Sequence, residues 1–139
     1  TGKNAPREII FFFNAMIENQ LKRLDRGENP PGGTQLFDRA AFKDSLPALS
    51  DYRLTKVLYA EYPDMRSYIE KMSNQKSEHN ANSLSRIWGT VESETNQIID
   101  RLVKIGFFEV DRNKDTVKIP YIYRPALSII QGKAEELGK

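Results

Sequence analysis

The chain has no cysteine, a single histidine (His79) and a single tryptophan (Trp88) among 139 residues. Without cysteine there can be no disulfide scaffold, thiolate zinc site, iron–sulfur cluster or cysteine nucleophile. One histidine cannot build a histidine-rich metal site within one chain. Long hydrophobic runs are missing too. The densest, Ile9-Ile10-Phe11-Phe12-Phe13, stops at Asn14, far short of the roughly 20 apolar residues a bilayer-spanning helix needs. Glu8 and Glu18 flank that run and no small-residue cleavage site follows, so it does not read as a secretory signal. Neither charge sign is in excess. The 21 Lys and Arg face 19 Asp and Glu, a net charge of +2, too balanced for a nucleic-acid-coating protein or a polybasic membrane binder. These absences fit a cytoplasmic protein with no membrane partner.

Enzyme signatures are lacking as well. No Gly-x-x-x-x-Gly-Lys-Ser/Thr stretch occurs, and Gly32-Gly33 lies beside two prolines without the Lys-Ser/Thr that phosphate binding requires. His79 falls in a polar stretch and reads as a solvated loop residue, so no Ser-His-Asp arrangement suggests itself. The carboxylates are spread beside Lys and Arg along helix faces, the usual sign of a solvated surface. By itself the chain therefore reads as a non-enzyme, with no catalytic residue, no metal ligand and no cofactor of its own.

With 39% hydrophobic and 29% charged residues, the chain has the composition of a globular domain, and its length lets it bury roughly 68–70% of its unfolded surface. It begins at Thr1 rather than Met, and a charged helix follows almost at once, so it is expected to be a piece of a longer protein. Asn4 as cap, Pro6 in the first turn and Gly27 past the end predict a helix between them. Ile9, Phe13, Met16, Ile17, Gln20, Leu21 and Leu24 recur at helical spacing along it. Ile10, Phe11 and Phe12 widen its apolar surface toward a partner domain or a second copy. Residues 28–35 read as a loop. Three short helices are then expected: one capped by Asp38 and ending near Pro47, one capped by Ser50 and reaching about Tyr62, and one capped by Asp64 and reaching about Asn74.

After a polar stretch over residues 74–80, a short helix from Ala81 to Trp88 meets a turn at Gly89-Thr90-Val91. A longer helix runs from Glu92 to Ile105 and is ended by Gly106. Phe107 to Val110, a polar turn from Asp111 to Asp115, and Thr116 to Tyr123 predict a β-hairpin. Pro125 to about Leu137 reads as helix. Helix, short turn, helix and hairpin is the winged helix-turn-helix order. The fold class expected is therefore mainly α with a small β-hairpin, an α+β chain. Trp88, Phe107, Phe108, Tyr121 and Tyr123 are assigned to its core.

The longer helix and the hairpin supply the candidate contacts to DNA or a protein partner: Asn96, Gln97, Arg101 and Lys104, with Arg112, Lys114 and Lys118 on the hairpin. Asn96, Gln97 and Arg101 can read base edges, but Glu92 and Glu94 would meet phosphates unfavourably. Residues 77–139 hold nine basic and nine acidic side chains, so no electrostatic footprint for nucleic acid stands out. Arg7 is a separate candidate. A cation in a first helical turn opposes the helix dipole at a cost of about 0.3–1 kcal/mol, which an anionic partner would reverse. Local pairing with Glu8 or solvent is the other reading of it.

Pro6-Arg7-Glu8-Ile9-Ile10 followed by Phe13-Asn14 resembles the lid helix of bacterial AAA-type and STAND-like P-loop ATPases. Three further stretches, Leu58 to Pro63, Leu102 to Glu109 and Ile119 to Leu127, are similar in the same order to segments that close such ATPases. The resemblance implies a helical lid-like subdomain over residues 1–63 and a winged helix-turn-helix over residues 64–139. It also implies an upstream nucleotide-binding domain that this chain lacks. ATP and magnesium would belong to that parent enzyme, Arg7 would be its nucleotide sensor, and the chain would be a C-terminal regulatory module. A free-standing winged-helix DNA-binding regulator is the alternative. A third reading is a protein-interaction or dimerisation domain that uses the apolar Ile10, Phe11 and Phe12 surface.

Overall fold

A computed structural model describes residues 5–27 and 39–135, with side chains from residue 10 onward apart from residues 11, 12 and 39. The proposed caps Asn4 and Asp38, the loop over residues 28–35 and the chain end beyond residue 135 lie outside the described residues. The architecture is α+β, mainly helical with a small mixed sheet. Helix α1 (Ala5–Asp25) ends at Gly27, whose φ of +87° favours a residue without a β-carbon. Helix α2 (Arg39–Tyr52) packs along α1. The seam between them is tied by Asn19 Nδ2 donating to the Ser45 hydroxyl at 2.9 Å and by Arg23 and Asp44 at 3.5 Å.

Pro47 does not end α2, and Ser50 does not start a new helix. The helix carries Pro47 in its interior and continues through a π-helical stretch, Arg53–Leu58, into the turn α3 (Tyr59–Glu61). A proline there deprives the carbonyl of Lys43 of its helical donor and costs about 3 kcal/mol. Burial on several sides opposes that cost: Ala41, Ser45 and Ser50 are fully enclosed, as are Leu54, Val57 and Leu58 beyond them. Ser50 serves a long-range contact instead, its hydroxyl accepting from the Ala126 amide at 3.0 Å. Asp64 is likewise no side-chain cap. It lies in the 3-10 turn Pro63–Met65 ahead of α4 (Arg66–Glu70).

The polar stretch expected as a loop forms strand β1 (Lys76–His79). It is followed by α5 (Ala81–Trp88), α6 (Glu92–Lys104), β2 (Glu109–Asp111) and β3 (Thr116–Lys118). The expected C-terminal helix is cut short: α7 (Arg124–Leu127) ends at Ser128, whose φ is +51°, and strand β4 (Ile130–Lys133) replaces the rest. Gly132, which would weaken a helix interior, sits in that strand at a φ of +140°. The sheet order is β2-β3-β1-β4, antiparallel except for the parallel pair β1–β4.

One core joins the two halves of the chain. Leu54, Leu58 and Tyr59 pack in the same cluster as Ile69, Met72, Leu84, Trp88, Leu102, Phe107 and Tyr123, so the cluster crosses residue 63 without a break. Trp88 Nε1 donates to the Tyr68 carbonyl at 3.1 Å, and its ring stacks on Phe108. Tyr121 departs from expectation. It is 67% exposed, while Trp88, Phe107, Phe108 and Tyr123 are buried.

Tyr59 is only 8% exposed, with the Arg66 guanidinium 4.8 Å from its ring centre. Burial, and next the nearby Glu70 carboxylate, push its phenol up to about 12, against the opposing pull of Arg66. The unfolded chain ionises this group near 10, so folding favours the neutral phenol. Its contribution to stability is complete below pH 10 and is lost as pH rises toward 12. Urea midpoints measured across that window will fall more steeply for the parent protein than for Tyr59→Phe.

Candidate functional site

The α5–turn–α6 pair and the β2–β3 hairpin hold most of the candidate contacts, and short-range hydrogen bonds set their geometry. At the start of α5, the Asn80 side chain accepts from the Ser83 amide at 2.9 Å, and the Ser83 hydroxyl accepts from the Asn80 amide at 3.0 Å. This reciprocal cap satisfies two otherwise orphaned donors. At the other end Gly89, in the left-handed region, returns its amide to the Ser85 carbonyl. Three hydroxyls then lock the turn. Thr95, fully buried, lies 2.6 Å from the Thr90 hydroxyl and 2.9 Å from that of Ser85, and it donates to the Val91 carbonyl. Ser85 also donates to the Thr90 carbonyl at 2.6 Å. The five-residue spacing of Ser85, Thr90 and Thr95 was the visible signal of this cluster, and sequence reasoning passed over it.

His79 is not a solvated loop residue. It is 1% exposed at the end of β1, with Nε2 at 2.6 Å from the Lys76 carbonyl and Nδ1 at 3.1 Å from the Ser83 hydroxyl. A carbonyl only accepts, so Nε2 carries a proton. The ring thereby clamps the strand to the capped start of α5, a structural role.

The candidate contacts do not converge on one point. Ile98 and Leu102 turn α6 toward the core, while Asn96, Gln97, Arg101 and Lys104 are exposed. Asn96 lines a groove of about 330 Å³ between α6 and the hairpin, with Asp100, Ile99, Val103, Val110 and Val117. Arg101, one turn beyond Gln97, reaches away to Asp64. Its two terminal nitrogens donate to both carboxylate oxygens of Asp64, at 2.6 and 3.3 Å. On the hairpin, Lys114 and Lys118 each stand 3.8 Å from Asp111, whose carboxylate also accepts from the Asn113 amide. Arg112 is exposed at the hairpin turn. Glu92 and Glu94 lie in the first turn of α6, where acidic side chains complement the helix dipole. Arg7 falls in the first turn of α1, as its sequence predicts, but its side chain lies outside the described residues.

Arg101, Lys114 and Lys118, three of the five cations of α6 and the hairpin, thus stand beside carboxylates. Exposed pairs of this type contribute about 0.2–1 kcal/mol to stability, so their larger effect is on what the surface attracts. Among the described residues no three Asp, Glu or His side chains gather as a metal site. No described helix is long and apolar enough to cross a membrane.

Removing the His79 ring would leave the Lys76 carbonyl without its partner and open a cavity beside the α5 cap. His79→Ala is expected to lower the unfolding free energy by about 1–3 kcal/mol. Replacing the exposed Asn82 by Ala should change it by less than about 0.5 kcal/mol. Urea denaturation of the two variants checks the contrast.

Compared with protein-family models, with curated proteins and with solved structures, the chain matches none of them.

Proposed function

We propose that the chain is a non-catalytic regulatory and interaction module that works beside a bacterial P-loop ATPase domain. In this reading residues 1–63 are the lid-like part, with α1 seated against that domain, and residues 64–139 form a winged helix-turn-helix that docks a protein. The observation that carries the proposal is the exposed apolar stripe of α1. Ile10, Ile17, Leu21 and Leu24 recur along one side of the helix, exposed by 60, 38, 56 and 36%. A run of large apolar side chains in water marks a surface that another body covers. Arg7 lies one turn before the stripe begins. A guanidinium there is suited to bidentate contact with a terminal phosphate, a contact that differs between ATP and ADP states.

The strand β1 between α4 and α5, paired to β3 of the hairpin, supports the winged-helix part of the reading. The choice of a protein over duplex DNA follows from Asp64 and Asp111, which already hold Arg101, Lys114 and Lys118. The alternative, a free-standing DNA-binding regulator, draws on the exposure of Asn96 and Gln97 on α6.

In the complete ATPase, Arg7→Ala should reduce ATP turnover or its nucleotide response, and Leu21→Asp should uncouple the module in the same way. Unchanged turnover in both variants would overturn the ATPase reading. If the isolated chain dimerises and Leu21→Asp makes it monomeric, the stripe covers a second copy instead. The charge argument is tested separately by titrating duplex DNA at several salt concentrations. The parent chain should show no salt-sensitive binding, whereas Asp64→Asn combined with Asp111→Asn should gain it, each released cation adding roughly one unit of salt slope. Tight, salt-sensitive binding by the parent chain would favour the DNA-binding alternative.

A further inference from the structure

The outer face of the sheet carries a second surface, apart from the exposed face of α6. The strand registers set Glu109 of β2 opposite Lys118 of β3, Lys118 opposite Glu78 of β1, and Glu78 opposite Lys133 of β4. Residues opposite one another in neighbouring strands share a face, so acid and base alternate in a single row across the sheet. That row lines a cleft of about 430 Å³ whose wall includes Tyr121 and Arg124. Glu78, only 7% exposed, is held in place by the Thr116 hydroxyl at 2.9 Å. Tyr121 is mostly exposed, yet it is not loose. The Arg124 guanidinium lies 3.9 Å from its ring centre, and Arg124 Nε in turn donates to the Ile119 carbonyl at 2.8 Å. A ring backed on one side and open on the other is a stacking platform that loses little freedom when a second ring settles on it.

We infer that this cleft binds a nucleoside phosphate, either free or as one residue of a single strand. The base stacks on the open side of Tyr121, Lys133 meets the phosphate, and the Glu109 carboxylate accepts from a sugar hydroxyl. Each part narrows the ligand. An aromatic platform takes any flat ring, and lysines take any anion. Carboxylates in the same row, Glu109 at its end and Glu78 within it, disfavour a bare polyanion and suit a ligand that carries hydroxyl donors beside its phosphate. Duplex nucleic acid is a poor fit, because its base faces are already stacked on one another. This cleft is independent of whatever covers α1 or docks on α6, and its failure would leave that reading untouched.

The test is an amide NMR titration of the whole chain with 5′-AMP and, separately, with a short single-stranded oligoadenylate. Shifts should concentrate at Tyr121, Gly132 and Lys133. Tyr121→Ala should weaken binding by roughly 5- to 100-fold, the range of a lost base-stacking contact, while Tyr121→Phe, which keeps the ring, should bind like the parent. Lys133→Ala should reduce the salt dependence by about one unit. Equal affinity for both probes identifies a free nucleotide as the ligand, and response to the oligonucleotide alone identifies a strand. Silence toward both at millimolar concentration, or unchanged affinity in Tyr121→Ala, would overturn the inference.

Discussion

The register of β1 is the constraint on which the rest of the structure depends. This strand pairs with β3 on one side and β4 on the other, and it runs directly into the cap of α5. Side chains alternate faces along a strand, so a slip of one residue would exchange His79 with Glu78. A carboxylate would then enter the core beside Ser83, and an imidazole would lie between Lys118 and Lys133. Both exchanges are costly, which makes the register unambiguous even though no β1 residue is apolar. Hydrogen bonding replaces the hydrophobic pattern that usually sets a strand in place.

A second theme is local neutralisation. The cations that would give the α6 and hairpin surface its charge are mostly bound to carboxylates nearby, and two of them share Asp111. The outer sheet face applies the same economy with alternating acids and bases. Such surfaces discriminate by arrangement rather than by net field, because a bare polyanion meets as much repulsion as attraction.

Much of this fold was legible in the sequence because it is written in strong local signals. The bounds of α5 and α6 and the Gly89 turn follow from apolar spacing and glycine punctuation, and the existence of the β2–β3 hairpin from its β-branched residues, although β3 stops at Lys118 and a 3-10 turn, Tyr121–Tyr123, replaces the rest of the expected strand. β1 was not legible because Ser77, Glu78 and His79 are buried through polar partners distant in the chain. β4 was misread as helix, although Gly132 in the middle of the expected helix was a warning. Pro47 and Ser50 misled in the opposite direction, since burial outweighed a local helix breaker. The individual site residues were found by type, but their pairing was not. Asp64 and Arg101 are 37 positions apart, and only the fold brings them together. The expected strand puts Tyr121 on the same face as Tyr123, but a 3-10 turn, Tyr121–Tyr123, stands in its place and leaves Tyr121 exposed while Tyr123 is buried.

The sheet ends in β2 and β4, and both edges resist extension. β2 is short and bears Glu109 and Asp111. β4 shifts register against β1 between Lys76 and Glu78 and carries a glycine at positive φ. Short, charged or irregular edges present no straight ladder of free amides and carbonyls to an incoming strand. The sheet is thus protected from edge-to-edge growth, including the cross-β stacking that leads to fibres. Among the described residues, the strands thus offer a poor edge to a second chain, and the helices and the sheet face are the surfaces better suited to contact.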